Sequence, residues 1–456
     1  MPICQSTLIK TTIIVTLFIC TCFHRAPTVN AEDDNFLDSV VSKCIAGDWN
    51  EVAAFVADVD QQNPNYPTAC VARAINCLRQ RDPRAAIRQL ELAGAADRAK
   101  TLQAYGRISM AVYPPIGEYD APFAADLLKG EPEDVLIATN EKIGQRPLDV
   151  ANYLRRAEVV DCVYFVQDTP EQSEATLEWL DAGLGDATIA LLEPTLAEAA
   201  YRIRSSLWSL RRDAVNDLRD GNDAAEDLGQ ANRLAGRSAE NMDSYARLLC
   251  DAKRFHESLQ VIAAYGDDGF RPNWLMIRGR CHFELKEYAK AIADFDDAIK
   301  SYQSLPNSPP SSIAFALYQR GTCHFELGDY RSAIRDARAS QCLETKNLSI
   351  FQYPLIYQAM LRQGDIKLVS EIIDKPADMV SDPQTALYER GKYFLESDRF
   401  AEAEKDFLAL ATPDSGSHAP EQYLVTIYQK QGKADLAEKY AKLVAEKIAK
   451  LPYWMR

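Results

Sequence analysis

The chain has 456 residues, 47% of them hydrophobic and 26% charged, with a formal net charge of -15 at neutral pH. This acidic balance, with no run of Lys and Arg to make a basic face, argues against a nucleic-acid binder. The length argues against one compact core, whereas an array of repeated elements has no such size limit.

Residues 1–31 read as a signal peptide. Lys10 precedes an apolar stretch from Thr11 to Phe23, and a polar region then ends in Val29-Asn30-Ala31. Small residues at that end suit cleavage after Ala31. The apolar run is shorter than the ~20 residues that a membrane span needs. Export to the periplasm or beyond is therefore expected, with no stable membrane span after processing; the alternative is that the segment is retained as an uncleaved anchor. Eight cysteines follow: Cys44, Cys70, Cys77, Cys162, Cys250, Cys281, Cys323 and Cys342. An even number in an oxidising compartment invites disulfides. Most of them fall at core-facing helical positions, where a free thiol behaves as a small apolar residue. Cys44 and Cys77, near the ends of neighbouring first helices, are the foremost candidate pair.

No alternation of apolar and polar residues at the strand period persists anywhere, so the expected fold class is all-α. Residues 36–93 carry two helical hairpins, turning at Gly47-Asp48-Trp49 and at Arg81-Asp82-Pro83. Between 107 and 238 the helical runs are amphipathic but their register is blurred. Hairpins are expected at Pro147–Gly183 and Pro194–Gly236. Tyr113-Pro114-Pro115-Ile116-Gly117-Glu118-Tyr119-Asp120 reads as a loop, because consecutive prolines stop a helix. From 239 to 449 the pattern sharpens. Arg278 to Asp294 reads RGRCHFELKEYAKAIAD and Arg320 to Asp336 reads RGTCHFELGDYRSAIRD, with eleven of seventeen positions identical at an offset of 42. A looser copy runs from Arg390 to Asp406.

Each copy places a small residue (Gly279, Gly321, Gly391) in a first helix, an aromatic nine positions later (Tyr288, Tyr330, Phe400) and an alanine three beyond that (Ala291, Ala333, Ala403). Small residues let two helices approach closely, and the aromatic fills the gap beside the turn. Val40, Ala74, Gly106, Ala246, Tyr357 and Val425 take equivalent places elsewhere. This pattern resembles the tetratricopeptide repeat, whose period is ~34 residues. Trp is missing from most first helices, and the closing Pro from most second ones. The resemblance implies a right-handed superhelical α-solenoid of helical hairpins whose first helices line a concave face. The expected organisation is a signal peptide at 1–31, repeats at 32–110, irregular hairpins at 111–238, a second repeat array at 239–449 and a tail at 450–456.

On that concave face the resemblance places Arg247, Met276, Arg280, Phe283, Tyr318, Thr322, Phe325, Tyr388 and Lys392 as partner-binding residues, with Asp243 and Leu395 beside them. Aromatics interleaved with Arg and Lys suit an extended peptide or a partner helix. Arg makes charge-assisted bonds to carboxylates, which favours an acidic or C-terminal segment. Met276 and Tyr318 stand where the family's carboxylate clamp needs lysine and asparagine, so chaperone-tail binding is not implied. Phe283 and Phe325 are equally suited to packing between repeats.

Cys281-His282 and Cys323-His324 offer the ligand types of a zinc site. Adjacent helical residues point ~100° apart, so neither pair can face one ion. The pairs Arg278/Asp294, Arg320/Asp336 and Arg390/Asp406 keep a separation of 16 and read as ion pairs across a hairpin, worth about 0–1 kcal/mol if exposed. No HExxH, GxSxG, CxxC or glycine-rich phosphate loop is present. No catalytic residue, cofactor or metal is expected, and nucleic acid is not an expected partner. The expected role is an exported, non-catalytic scaffold that binds protein or peptide. One alternative is a structural subunit or assembly factor of a cell-envelope complex. Another is an enzyme with its site in residues 107–238, supported only by the stretch from Tyr113 to Asp120.

Overall fold

The computed structural model describes residues 31–112, 119–120, 129–165, 170–215, 217–235, 239–264, 272–306, 308–343, 349–374, 382–411 and 417–450. Nearly all of the signal-peptide reading, most of the Tyr113–Asp120 loop and the tail beyond 450 lie outside these residues. The chain divides into two compact units, one up to Asn241 and one from Met242.

The first unit contains α1 (Ala31–Ala46), α2 (Trp49–Val56), α3 (Tyr66–Arg79), α4 (Pro83–Ala96), α5 (Arg98–Val112), α6 (Pro132–Gln145), α7 (Ala151–Cys162), α8 (Pro170–Ala190), α9 (Ala197–Val215) and α10 (Leu218–Ala235). The second runs from α11 (Ala239–Asp251) through α12 (Phe255–Ala263), α13 (Pro272–Glu284), α14 (Tyr288–Ser304), α15 (Pro310–Glu326), α16 (Tyr330–Leu343), α17 (Ser349–Arg362), α18 (Ile366–Ile373), α19 (Pro383–Glu396), α20 (Phe400–Leu410), α21 (Ala419–Lys430) and α22 (Ala434–Lys450). The all-α class expected from the sequence is what the described residues form. One small departure is an antiparallel pairing of β1 (Tyr119–Asp120) with β2 (Tyr164–Phe165). Two-residue strands are too short to leave an alternating pattern.

One backbone device closes the regular hairpins. One or two residues after the first helix the chain adopts a positive φ, at Gly47, Arg81, Lys253, Lys286, Gly328, Gly364, Asp398 and Gly432. The next amide then donates to the carbonyl five residues back. Examples are Asp48 to Lys43 at 3.3 Å, Glu287 to His282 at 2.8 Å and Lys433 to Tyr428 at 2.9 Å. This is the Schellman closure, which satisfies carbonyls left over at a helix end and reverses the chain. Among the described residues no such positive φ joins α7 to α8 or α9 to α10.

In the second unit each helix packs mainly on its chain neighbours. Gly279 lies so near Phe295 that a Cβ there would approach its ring to 2.7 Å, and Gly391 stands in the same relation to Phe407 at 3.0 Å. Ala291, Ala333 and Ala403 are fully buried. The expected ion pairs form. Arg278 donates to Asp294 at 2.8 and 2.5 Å, Arg320 to Asp336 at 2.7 and 2.8 Å, and Arg390 to Asp406 at 2.9 and 2.7 Å. They are not the exposed pairs considered from sequence, because all three aspartates are buried. A buried carboxylate needs its partner, so these pairs fix how the two helices of a hairpin sit together.

The first unit is built differently. Helix α8 packs on α3 and α4 as well as on α7 and α9, so the chain returns to an earlier hairpin. Ion pairs with buried aspartates tie the helices of this unit together. Arg156 forms a two-pronged bond to Asp186 at 2.8 Å on each arm, both side chains fully buried, and Tyr105 donates its hydroxyl to the same carboxylate at 2.9 Å. Arg211 joins Asp181 at 2.7 Å and Asp220 at 2.6 Å. Arg84 reaches Asp220 and Asp223 at 2.6 Å from α4 to α10.

The cysteine expectation is corrected. Cys44 and Cys77 are both free thiols. Cys44 is buried in the core around Val40 and Val52, and Cys77 lies at its margin. Each thiol is taken up by packing against that core.

Candidate functional site: a cleft in the C-terminal unit

The first helices of three consecutive hairpins, α11, α13 and α15, line a cleft of about 620 Å³. From α11 come Asp243, Arg247 and Cys250, and from α13 Asn273, Met276, Ile277 and Arg280. Within each helix the spacing is three or four residues, which puts the side chains on one face. Helix α15 contributes Ser311, Ser312, Phe315 and Gln319, and α14 adds Tyr302.

The polar groups are arranged unequally. Arg280 donates to Asp251 at 2.6 Å and keeps nearly half of its side chain exposed. Arg247 is exposed and makes no hydrogen bond or ion pair with the described residues. A guanidinium in a cleft with all its donors open is the strongest anion-attracting group here. Tyr302 donates its hydroxyl to Asn273 at 2.8 Å, and burial raises its pKa, so it stays protonated. Phe315 is 44% exposed and Met276 half-buried, giving the cleft an apolar surface beside its charge.

Of the residues expected from sequence, the structure brings Arg247, Met276 and Arg280 together, with Asp243. It places the others elsewhere. Phe283 packs edge-on against Tyr288 at 5.5 Å, and Phe325 does the same to Tyr330 at 5.4 Å, so both act in hairpin packing. Tyr318 packs against the cluster around Tyr353 and Tyr357, and Thr322 donates its hydroxyl to the Tyr318 carbonyl at 3.0 Å. Tyr388 lies among Phe407 and Tyr423. Lys392 pairs with the buried Glu389 at 2.9 Å. The stripe that α15 turns to the cleft is 311, 315 and 319, not 318, 322 and 325. Phe315 was therefore missed, although Ser311, Phe315 and Gln319 at four-residue intervals were there to be read.

The Cys-His pairs hold no common centre. Cys281 belongs to the cluster with Cys250 and Trp274, and Cys323 to a separate one with Phe295. His282 is bonded to Glu287 at 2.7 Å. Among the described residues no group of three or more potential ligands converges, and no helix is long and apolar enough to cross a membrane.

Residues 246–309 match the tetratricopeptide repeat family. That stretch runs from within α11 to the residue before α15 and contains Arg247, Met276, Arg280 and Tyr302. A comparison with curated proteins finds no match. Among solved structures the chain is similar to the APC/C hetero-tetramer Cut9–Hcn1 at 12% identity, covering 82% of this chain and 72% of that one, with a TM-score of 0.39. It is also similar to a tetratricopeptide repeat protein from Parabacteroides merdae at 15% identity, covering 65% and 99%, with a TM-score of 0.32. A third likeness is to yeast Tom70 at 13% identity, covering 80% and 89%, with a TM-score of 0.32.

Proposed function

We propose that this protein is an exported, non-catalytic scaffold that binds a peptide segment in the cleft of α11, α13 and α15. The observation that carries this reading is the open guanidinium of Arg247 in a cleft whose α13 and α14 residues, with Arg247 and Cys250 of α11, fall within the family match. Arrays of helical hairpins bind through such surfaces between stacked first helices. The expected ligand carries a carboxylate, from an acidic side chain or a C-terminus, next to an apolar side chain. Arg247 and the exposed edge of Arg280 would meet the carboxylate, and Met276 with Phe315 would meet the apolar group. Export rests on the reading of residues 1–31.

The test is a screen of acidic peptides, with free and with amidated C-termini, by fluorescence anisotropy on the full chain. A binder should lose about tenfold or more in affinity in Arg247→Glu, which breaks no internal bond. Arg280→Glu should weaken it as well, and the melting temperature of Arg247→Glu should stay near that of the parent. Full binding in both charge reversals would remove the cleft as the site.

A further inference from the structure

We propose that Cys250 and Cys281 are a disulfide-forming pair that ties α11 to α13 at the base of the cleft when the protein meets a thiol oxidant. The two residues are 31 positions apart in sequence. Each thiol shifts the acidity of the other, which sets the two side chains beside one another. Both are buried in one apolar cluster with Ala246, Ile262 and Ile277. Cys250 also lines the cleft, which gives a small oxidant a route to an otherwise covered sulfur.

The two thiols differ in acidity. The adjacent Cys250 side chain holds Cys281 below its ordinary pKa against the effect of burial, and the Arg280 guanidinium acts in the same direction. The same contact, with burial, pushes Cys250 up. With a small organic disulfide R–S–S–R as oxidant, Cys250 gives up its proton and attacks one sulfur, and one R–S⁻ leaves and is protonated. Cys281 then gives up its proton and attacks the Cys250 sulfur of the mixed disulfide, and the second R–S⁻ leaves and is protonated. Two electrons and two protons pass from the pair to the oxidant. The bond would also fix the spacing of Arg247 and Arg280, which stand within one turn of the two cysteines on their helices. The pairing itself holds whatever the cleft binds.

The test treats the fully reduced, folded full chain with excess oxidised glutathione. The reaction is quenched with acid, remaining thiols are alkylated in denaturant, and the peptides are mapped without reduction. The expected result is a linked peptide joining Cys250 to Cys281, lighter by two hydrogens than its separate halves and lost on reduction. Exposed Cys342 serves as the control and should appear as its glutathione mixed disulfide. Recovery of Cys250 and Cys281 as alkylated thiols while Cys342 is oxidised would overturn the proposal. So would a linkage of either one to a different cysteine.

Discussion

Gly279, Gly321 and Gly391 occupy the same place in three copies of one motif, yet they do not meet the same surroundings. A Cβ at Gly279 would approach the Phe295 ring to 2.7 Å, and that ring is buried. At Gly391 the nearest ring atom is at 3.0 Å, and at Gly321 the nearest atoms are the Ala333 carbonyl oxygen and the Asp336 Cβ at 3.3 Å. Gly279→Ala is therefore expected to cost about 1–3 kcal/mol by overpacking. Gly321→Ala should come out near neutral, since alanine regains about 0.5–1 kcal/mol as the better helix former. Urea denaturation of the two variants checks the order, and equal losses would mean that the rings do not set the helix approach. The repeat made all three glycines legible in sequence. It did not rank them, because the ranking depends on which atom of the facing helix arrives opposite each one.

At the scale of the element, the hairpin turn is the unit that repeats most faithfully. Its left-handed residue is glycine at 47, 328, 364 and 432 but Lys at 253 and 286, Arg at 81 and Asp at 398. A residue with a Cβ is strained there, by roughly 1 kcal/mol. Lys286 is exposed, and no side-chain bond ties it down. Lys286→Gly is thus expected to stabilise the second unit by about 0.5–1 kcal/mol, while Gly328→Lys should cost a similar amount. Hydrogen exchange of the amides in α13 to α16 would register both changes. A loss on Lys286→Gly would show that the strain is absent. The turns at Gly47, Gly328 and Gly432 were readable beforehand, because glycine after a helical run announces this closure. The same turn at Lys253 and Asp398 carries no such mark, since those residue types sit equally well inside a helix or a loop.

At the scale of the whole molecule, buried acids shape the response to pH. Burial pushes the Asp181 carboxyl up to about 6, against the pull of Arg211 and Arg81 and with a further push from Asp220. In the unfolded chain this group titrates near 4. Between those values the folded state holds the extra proton, so this contribution to stability grows as pH falls. It is complete below about 4 and lost as pH rises through about 6, and it amounts to at most about 3 kcal/mol. Asp181→Asn removes it. The stability of the parent relative to that variant should therefore be greater at pH 4.5 than at pH 7, measured by chemical denaturation at each pH. An unchanged difference would place the Asp181 pKa at its ordinary value in the folded protein.

The sequence by itself determined the all-α class, the hairpin as the repeating unit, the small residue at each helix crossing and the Arg–Asp pair that spans each regular hairpin. These features are local. Helix period, turn chemistry and a fixed separation of 16 residues are written within one repeat and need no knowledge of its neighbours. Only the tertiary structure decided the rest. It turned Phe315 rather than Tyr318 to the cleft, sent Phe283 and Phe325 into hairpin packing, and set Cys250 against Cys281 instead of Cys44 against Cys77. It also joined Arg84 to Asp220 across 136 residues. Each of these outcomes depends on how far a helix rotates about its own axis and on which hairpin lies beside it. Both are fixed by the packing of many side chains at once, because a buried face must fit whatever surface meets it.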